Sequence, residues 1–162
     1  MATSAFMPAH LRDSLRLRGE LFDRTTGLPG PVLLLDRIEM GLAHAKRRCR
    51  LLGVFYVDPA PVGHERPDLR ALGERLVGTV RPDDTVACDG AGHFVVVCRN
   101  LDHDGQAQRV THRLLDAIDA PCLLGAAVGC PPTEAAGLIV LAMARATPRA
   151  GSTALVPRSR DR

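Results

Sequence analysis

This chain predicts an α+β fold, one sheet with helices packed on its faces, and three observations carry the prediction. Strand-length apolar runs alternate with longer segments whose apolar residues recur every three or four positions. Leu51 to Val57, LLGVFYV, is apolar throughout, as a central strand covered on both faces would be. Arg81 to Phe94, RPDDTVACDGAGHF, leads one short β-branched run through Gly90-Ala91-Gly92 into a second, VVVC, which is a hairpin signal.

At 162 residues, 46% of them hydrophobic, the chain supports one ordinary core and one domain. Aromatics make up 3%, with no Trp and one Tyr, so the core is aliphatic and stacking of bases on aromatic platforms is disfavoured. The net charge of +3 comes from scattered arginines, which suits a phosphate-bearing ligand and does not make a nucleic-acid protein. The five cysteines, Cys49, Cys88, Cys98, Cys122 and Cys130, contain no CxxC pair and read as reduced, buried thiols of a cytosolic protein. No apolar run approaches a membrane span and MATSAFMPAHLRDSLRLRGE lacks an apolar signal core, so a soluble, cytoplasmic chain is expected.

In chain order, Pro8 to Leu21 is expected to be a short helix carrying Leu11, Leu15 and Leu17; Arg12, Arg16 and Arg18 on it are either a solvated face or a partner-binding one. FDRTTGLPGP, residues 22 to 31, is a turn-rich connector. Residues 32 to 48 place apolar side chains at 34, 35, 38, 42 and 45, one face of a helix, and Lys46, Arg47 and Arg48 fall where cations meet the negative end of its dipole. The strand Leu51 to Val57 exits at Asp58, a position where α/β sheets often gather ligands. After the proline-rich PAPVGHERP comes an amphipathic helix, Leu69 to Val80, ending before Pro82. The hairpin follows, then NLDHDG (100 to 105) as a polar turn, a helix from Gln106 to Ile118, a strand from Cys122 to Val128, a helix from Glu134 to Ala146, and a tail. Two β-α-β halves joined through a hairpin suggest a ferredoxin-like, antiparallel or mixed sheet flanked by helices.

Several of these segments carry a family resemblance. DRTTGLPG looks like the D-x-L-T-G-L-x-N-R signature that opens GGDEF domains, the bacterial diguanylate cyclase family, and VLLLDRIEMGLAHAKRR is similar to that family's first helix. ERLVGTVRPDDTVACDGAGHF resembles the segment from R-x-x-D into the GGDEF loop; GAAVG and LAMARATPRAG resemble the closing strand and helix. The match spans roughly residues 20 to 151. It implies a nucleotidyl-cyclase-like fold and a division into a leader and helix at 1–21, a degenerate GGDEF-like domain at 22–151 and a flexible tail at 152–162.

Family members make cyclic di-GMP from two GTP molecules with Mg²⁺ ions held by carboxylates. Aligned on Phe94, the loop reads Gly90-Ala91-Gly92-His93-Phe94, with a glycine and a histidine at the two acidic positions, and imidazole is a poor Mg²⁺ ligand. Of the carboxylate pair leaving the first strand, Asp58 remains and Tyr56 fills the other slot, while the closing-helix lysine falls at Thr147 or Pro148. Together these substitutions imply a chain that is not an enzyme, with no catalytic residue, metal or cofactor.

The R-x-x-D of the family's inhibitory site survives as Arg81 and Asp84, five residues before Gly90, and the resemblance implies a further arginine from the helix after the hairpin, Arg109 or Arg113. An arginine can fork onto a phosphate or a guanine edge, and an aspartate can accept from guanine. RPDD is equally a good turn, with Pro at a turn position and Asp accepting backbone N–H bonds. His93 reads as a hairpin-tip residue, His64 as structural, and His44, His103 and His112 share no ligand spacing. The leading expectation is a regulatory module that binds cyclic di-GMP through Arg81 and Asp84 and signals to a protein partner, with a homodimer as a further expectation and no nucleic-acid or membrane partner. The alternatives are a protein-interaction pseudo-enzyme without nucleotide and a residual cyclase or GTP-binding activity.

Overall fold

A computed structural model describes residues 21–149. The expected N-terminal helix and the tail beyond 152 lie outside the described residues, as does any dimer built on that helix. Helix α1 (Pro31–Arg48) opens with a proline in its first turn, where a missing N–H costs nothing, and closes at Cys49 in the left-handed region with Lys46, Arg47 and Arg48 in its last turn. Strand β1 (Leu51–Asp58) is buried over six consecutive residues. Helix α2 (Leu69–Thr79) is capped by Asp68, whose carboxylate accepts from the N–H groups of Arg70 and Ala71. The chain continues through β2 (Thr85–Cys88), β3 (Phe94–Leu101), α3 (Asp104–Ile118), β4 (Cys122–Gly129), α4 (Ala135–Ala144) and β5 (Thr147–Arg149).

The strands form one sheet in the order β2-β3-β1-β4-β5, with every neighbouring pair antiparallel. Alternation along each strand divides its side chains between two apolar layers. Val54 and Tyr56 of β1, with Val95 and Val97 of β3, meet Leu34 and Ile38 of α1 and Leu138 and Ile139 of α4. Phe55 and Val57, with Phe94, Val96 and Cys98, meet Leu72 and Leu76 of α2 and Val110, Leu114 and Ile118 of α3. The α+β sheet flanked by helices is therefore as the sequence pattern predicts, and β1 is its doubly covered centre.

Several boundaries differ from the expectation, among them the start of α3, at Asp104 rather than the expected Gln106. The segment expected as a polar turn from residue 100 begins inside β3, because Leu101 still pairs with Leu51 and is buried. Helix α4 ends at Ala144, two residues short of the expected end. The expected tail contains β5, paired with β4 through Cys122, Leu123 and Leu124. All three residues of β5 are exposed, so no apolar alternation marked it; only backbone pairing makes it a strand.

One irregularity bears on the site. Gly53 lies opposite Cys98 and Leu51 opposite Leu101, so the single residue Leu52 faces two, Arg99 and Asn100. This is a β-bulge, and Asn100 adopts the left-handed conformation with φ 59°. The extra residue reverses the alternation beyond it. Leu101 consequently joins Cys98 on the α2/α3 face instead of Val95 and Val97 on the other.

Candidate functional site

The turn Arg81 to Asp84 is held by its own aspartate. The Asp84 N–H donates to the Arg81 carbonyl at 3.0 Å, and the Asp84 carboxylate accepts from the Arg81 N–H at 3.1 Å and from the Arg99 N–H at 3.0 Å. The buried Cys98 thiol also bonds to this carboxylate; burial first, and then the Asp84 charge, push that thiol well above its ordinary range. Asp84 thus fastens the turn to β3, which is the turn role open to it from sequence.

Beside this turn lies a cavity of about 720 Å³ whose lining includes Arg81, Asp84, Arg99, Arg109, His112 and Arg113. The four residues singled out in the sequence as a possible binding set, Arg81, Asp84, Arg109 and Arg113, therefore border one space. Arg109 and Arg113 are four apart on α3 and share one of its faces. Arg113 reaches the Thr79 carbonyl at 3.5 Å, a long contact at the end of α2. Among the described residues none of the four arginines of the cavity forms an ion pair with a carboxylate. Four guanidinium groups against the single carboxylate of Asp84 give the cavity a positive field that suits an anion.

Sequence reasoning missed Arg99, and it gave His112 no ligand role. Arg99 follows the apolar run of β3 and matches no motif. A second cavity of about 610 Å³ lies across the same turn, bordered by Arg37, Met40, Val77, Arg81 and Arg99 among others.

The glycine tip sits at the opposite end of β2 and is organised by Asp89, which is 1% exposed. Its carboxylate accepts from the Ala91 N–H at 2.9 Å and the His93 N–H at 3.1 Å, and lies 2.8 Å from His93 Nδ1. Burial works to raise the Asp89 acid, but the bond and charge of His93 outweigh it and the net direction is down. The bond to Asp89 raises His93 in turn, against burial. Tyr56 packs on His93 with ring centroids 5.5 Å apart, and burial, then the charges of Asp89 and Asp58, push its phenol up.

Gly90 and Gly92 have positive φ, 80° and 91°, and a side chain at Gly92 would collide with the Arg66 guanidinium, which donates to the Ala91 carbonyl at 3.3 Å. Phe94 is fully buried. Asp58 spends one carboxylate oxygen on the Ala60 N–H at 2.9 Å. A Mg²⁺ requires several oxygen ligands. No group of three or more metal-ligating side chains gathers among the described residues, and the Asp89 oxygens are taken by the tip itself. This donor set does not fit such an ion.

Elsewhere, Cys88, Cys98 and Cys122 are buried as expected, whereas Cys49 and Cys130 are exposed, a correction that follows from their places at a helix end and in a loop. Burial lifts Cys88 and Cys122 to about 11. His64 is exposed in its loop and His103 precedes α3. No helix among the described residues is long and apolar enough to cross a membrane.

No family model matches the chain, and no curated protein matches it. Solved structures do. The GGDEF domain of TpbB (YfiN) from Pseudomonas aeruginosa superimposes with a TM-score of 0.65 at 23% identity, over 75% of this chain and 84% of that one. The GGDEF domain of DgcB from Caulobacter crescentus, in complex with cyclic di-GMP, gives 0.64 at 14% identity, over 78% and 88%. The diguanylate cyclase SiaD from Pseudomonas aeruginosa, in complex with its activator SiaC, gives 0.67 at 18% identity, over 83% of this chain and 60% of that one. The expectation that this chain is not an enzyme is corrected: a solved diguanylate cyclase shares its fold, and at 18% identity that likeness shows the fold alone, so inactivity does not follow from it. Through its sheet order, its two helical layers and these superpositions, the chain has the fold of a GGDEF domain.

Proposed function

We propose that the chain is a regulatory GGDEF-fold module that receives cyclic di-GMP in the arginine-lined cavity beside the RPDD turn. The observation that supports this reading is the meeting of Arg81, Asp84, Arg109 and Arg113, drawn from two distant stretches of sequence, around one space of about 720 Å³. A cyclic dinucleotide carries two phosphodiester charges and two guanine edges, and arginine forks onto either. Arg109 and Arg113 repel one another at their four-residue spacing, and an anion between them relieves that repulsion. Asp84 is largely committed to the turn, so its part is to hold Arg81 in place, and the arginines supply most of the attraction. Solved GGDEF domains bound to cyclic di-GMP share the fold.

Isothermal titration calorimetry of the full chain with cyclic di-GMP tests the reading. The wild type is expected to bind, and Arg81→Ala to weaken binding by roughly tenfold to a hundredfold, the worth of a hydrogen bond to a charged group. No heat at high micromolar ligand overturns it. A second reading, a protein-docking module without nucleotide, draws on the exposed Met40 and Val77 at the second cavity, 54% and 47% exposed, and on the activator seated on SiaD. Under that reading the calorimeter is silent.

A further inference from the structure

We propose that Arg99 is a fifth ligand-contacting residue of the arginine cavity and that it holds a phosphate group of the ligand; the inference rests on the cavity being the receptor site. Strict alternation would send Arg99 toward the α1/α4 face together with Val95 and Val97. The bulge at Arg99 and Asn100 interrupts that alternation at the end of the sheet, and Arg99 borders the cavity against α3 as well as the second cavity beside Arg37 and Met40.

The guanidinium is also held in advance. Its Nε donates to the Asp83 carbonyl at 2.7 Å, and its own main-chain N–H is tied to Asp84. Nε is one corner of a planar fork, so fixing it sets the direction of the two terminal amino groups. These have no protein acceptor among the described residues. A long side chain ordinarily loses rotamer freedom when it binds, and an arginine already pinned at Nε loses less. Phosphate is the acceptor this arrangement suits. The cavity holds four cations and one carboxylate, and Asp84, its only acid, has its oxygens engaged by two backbone N–H groups and the Cys98 thiol. Cationic heads collected in excess of their counter-charges match a ligand with more than one phosphate charge.

Calorimetry with cyclic di-GMP on the wild type, Arg99→Ala and Arg99→Lys tests this, with far-UV circular dichroism melts on the same samples. The bond from the Arg99 main-chain N–H to Asp84 does not depend on the side chain, so both variants are expected to melt close to the wild type. Arg99→Ala should bind at least tenfold more weakly, and Arg99→Lys, which keeps a point charge for phosphate but loses the fork pinned at Nε, should fall between Arg99→Ala and the wild type. Wild-type affinity in Arg99→Ala overturns the assignment while leaving the receptor reading intact. Equal losses in Ala and Lys overturn the phosphate role, because they mark a two-pronged guanine contact or a structural one. A wild type that gives no heat overturns the receptor reading and this inference with it.

Discussion

Replacing Asp89 by alanine removes the group around which the hairpin tip is wound. Three hydrogen bonds end on this carboxylate: from Ala91 N–H at 2.9 Å, from His93 N–H at 3.1 Å and from His93 Nδ1 at 2.8 Å. Each bond ends on a charged group and contributes about 1.5–3 kcal/mol, so the gross loss is at least about 4.5 kcal/mol. Relief of the buried charge's desolvation offsets part of it, and a net loss of about 3 kcal/mol is expected in urea unfolding. The pH dependence has a definite sign. His93 is raised in the folded state, so its stabilisation is complete below its unfolded value of about 6.5 and fades as the pH climbs through the raised folded value. Asp89 is lowered, so its stabilisation is present above its unfolded value of about 3.9 and is lost as the pH falls through the lowered folded value. The pair is worth most between about pH 4 and 6.5. In Asp89→Ala the stability lost should therefore be larger at pH 5.5 than at pH 9, and the His93 ring, followed by NMR, should titrate lower than in the wild type. A net loss below about 1 kcal/mol, or an unchanged His93 titration, would refute the reasoning.

Two further substitutions probe the scaffold. A side chain at Gly125 would run into the Ala142 carbonyl and the Ala146 backbone, which cannot swing aside as a flexible side chain can, so Gly125→Ala should destabilise by about 3 kcal/mol or more, measured by urea unfolding. Asn100 has φ 59°, which costs an ordinary L-residue about 1–2 kcal/mol and a β-branched one at least as much. Asn100→Val should accordingly lower the melting temperature while Asn100→Gly holds it, and equal melts in the two variants would show that the bulge is not set by that residue's conformation.

What the sequence by itself determined is whatever depends on periodicity and local chemistry. Leu34, Ile38 and Leu42 mark a helix face because helical spacing repeats within a few residues, and LLGVFYV marks a central strand because both its faces are apolar. The hairpin at Gly90 to Gly92 was legible for the same reason, since only a few residue types tolerate its positive φ values. Order and spacing of motifs also pointed to the GGDEF-domain fold and to Arg81 and Asp84 as neighbours in one turn. Tertiary structure alone decided the rest. β5 exists because β4 offers it a backbone edge, and nothing in its three exposed side chains announces that. The Asp89–His93 pair forms because the tip folds back on itself in a buried place, which the three intervening residues do not disclose. Leu101 joins the α2/α3 layer because one extra residue in β3 reverses the alternation. A register shift is a property of two paired strands, so no reading of one strand alone could have found it.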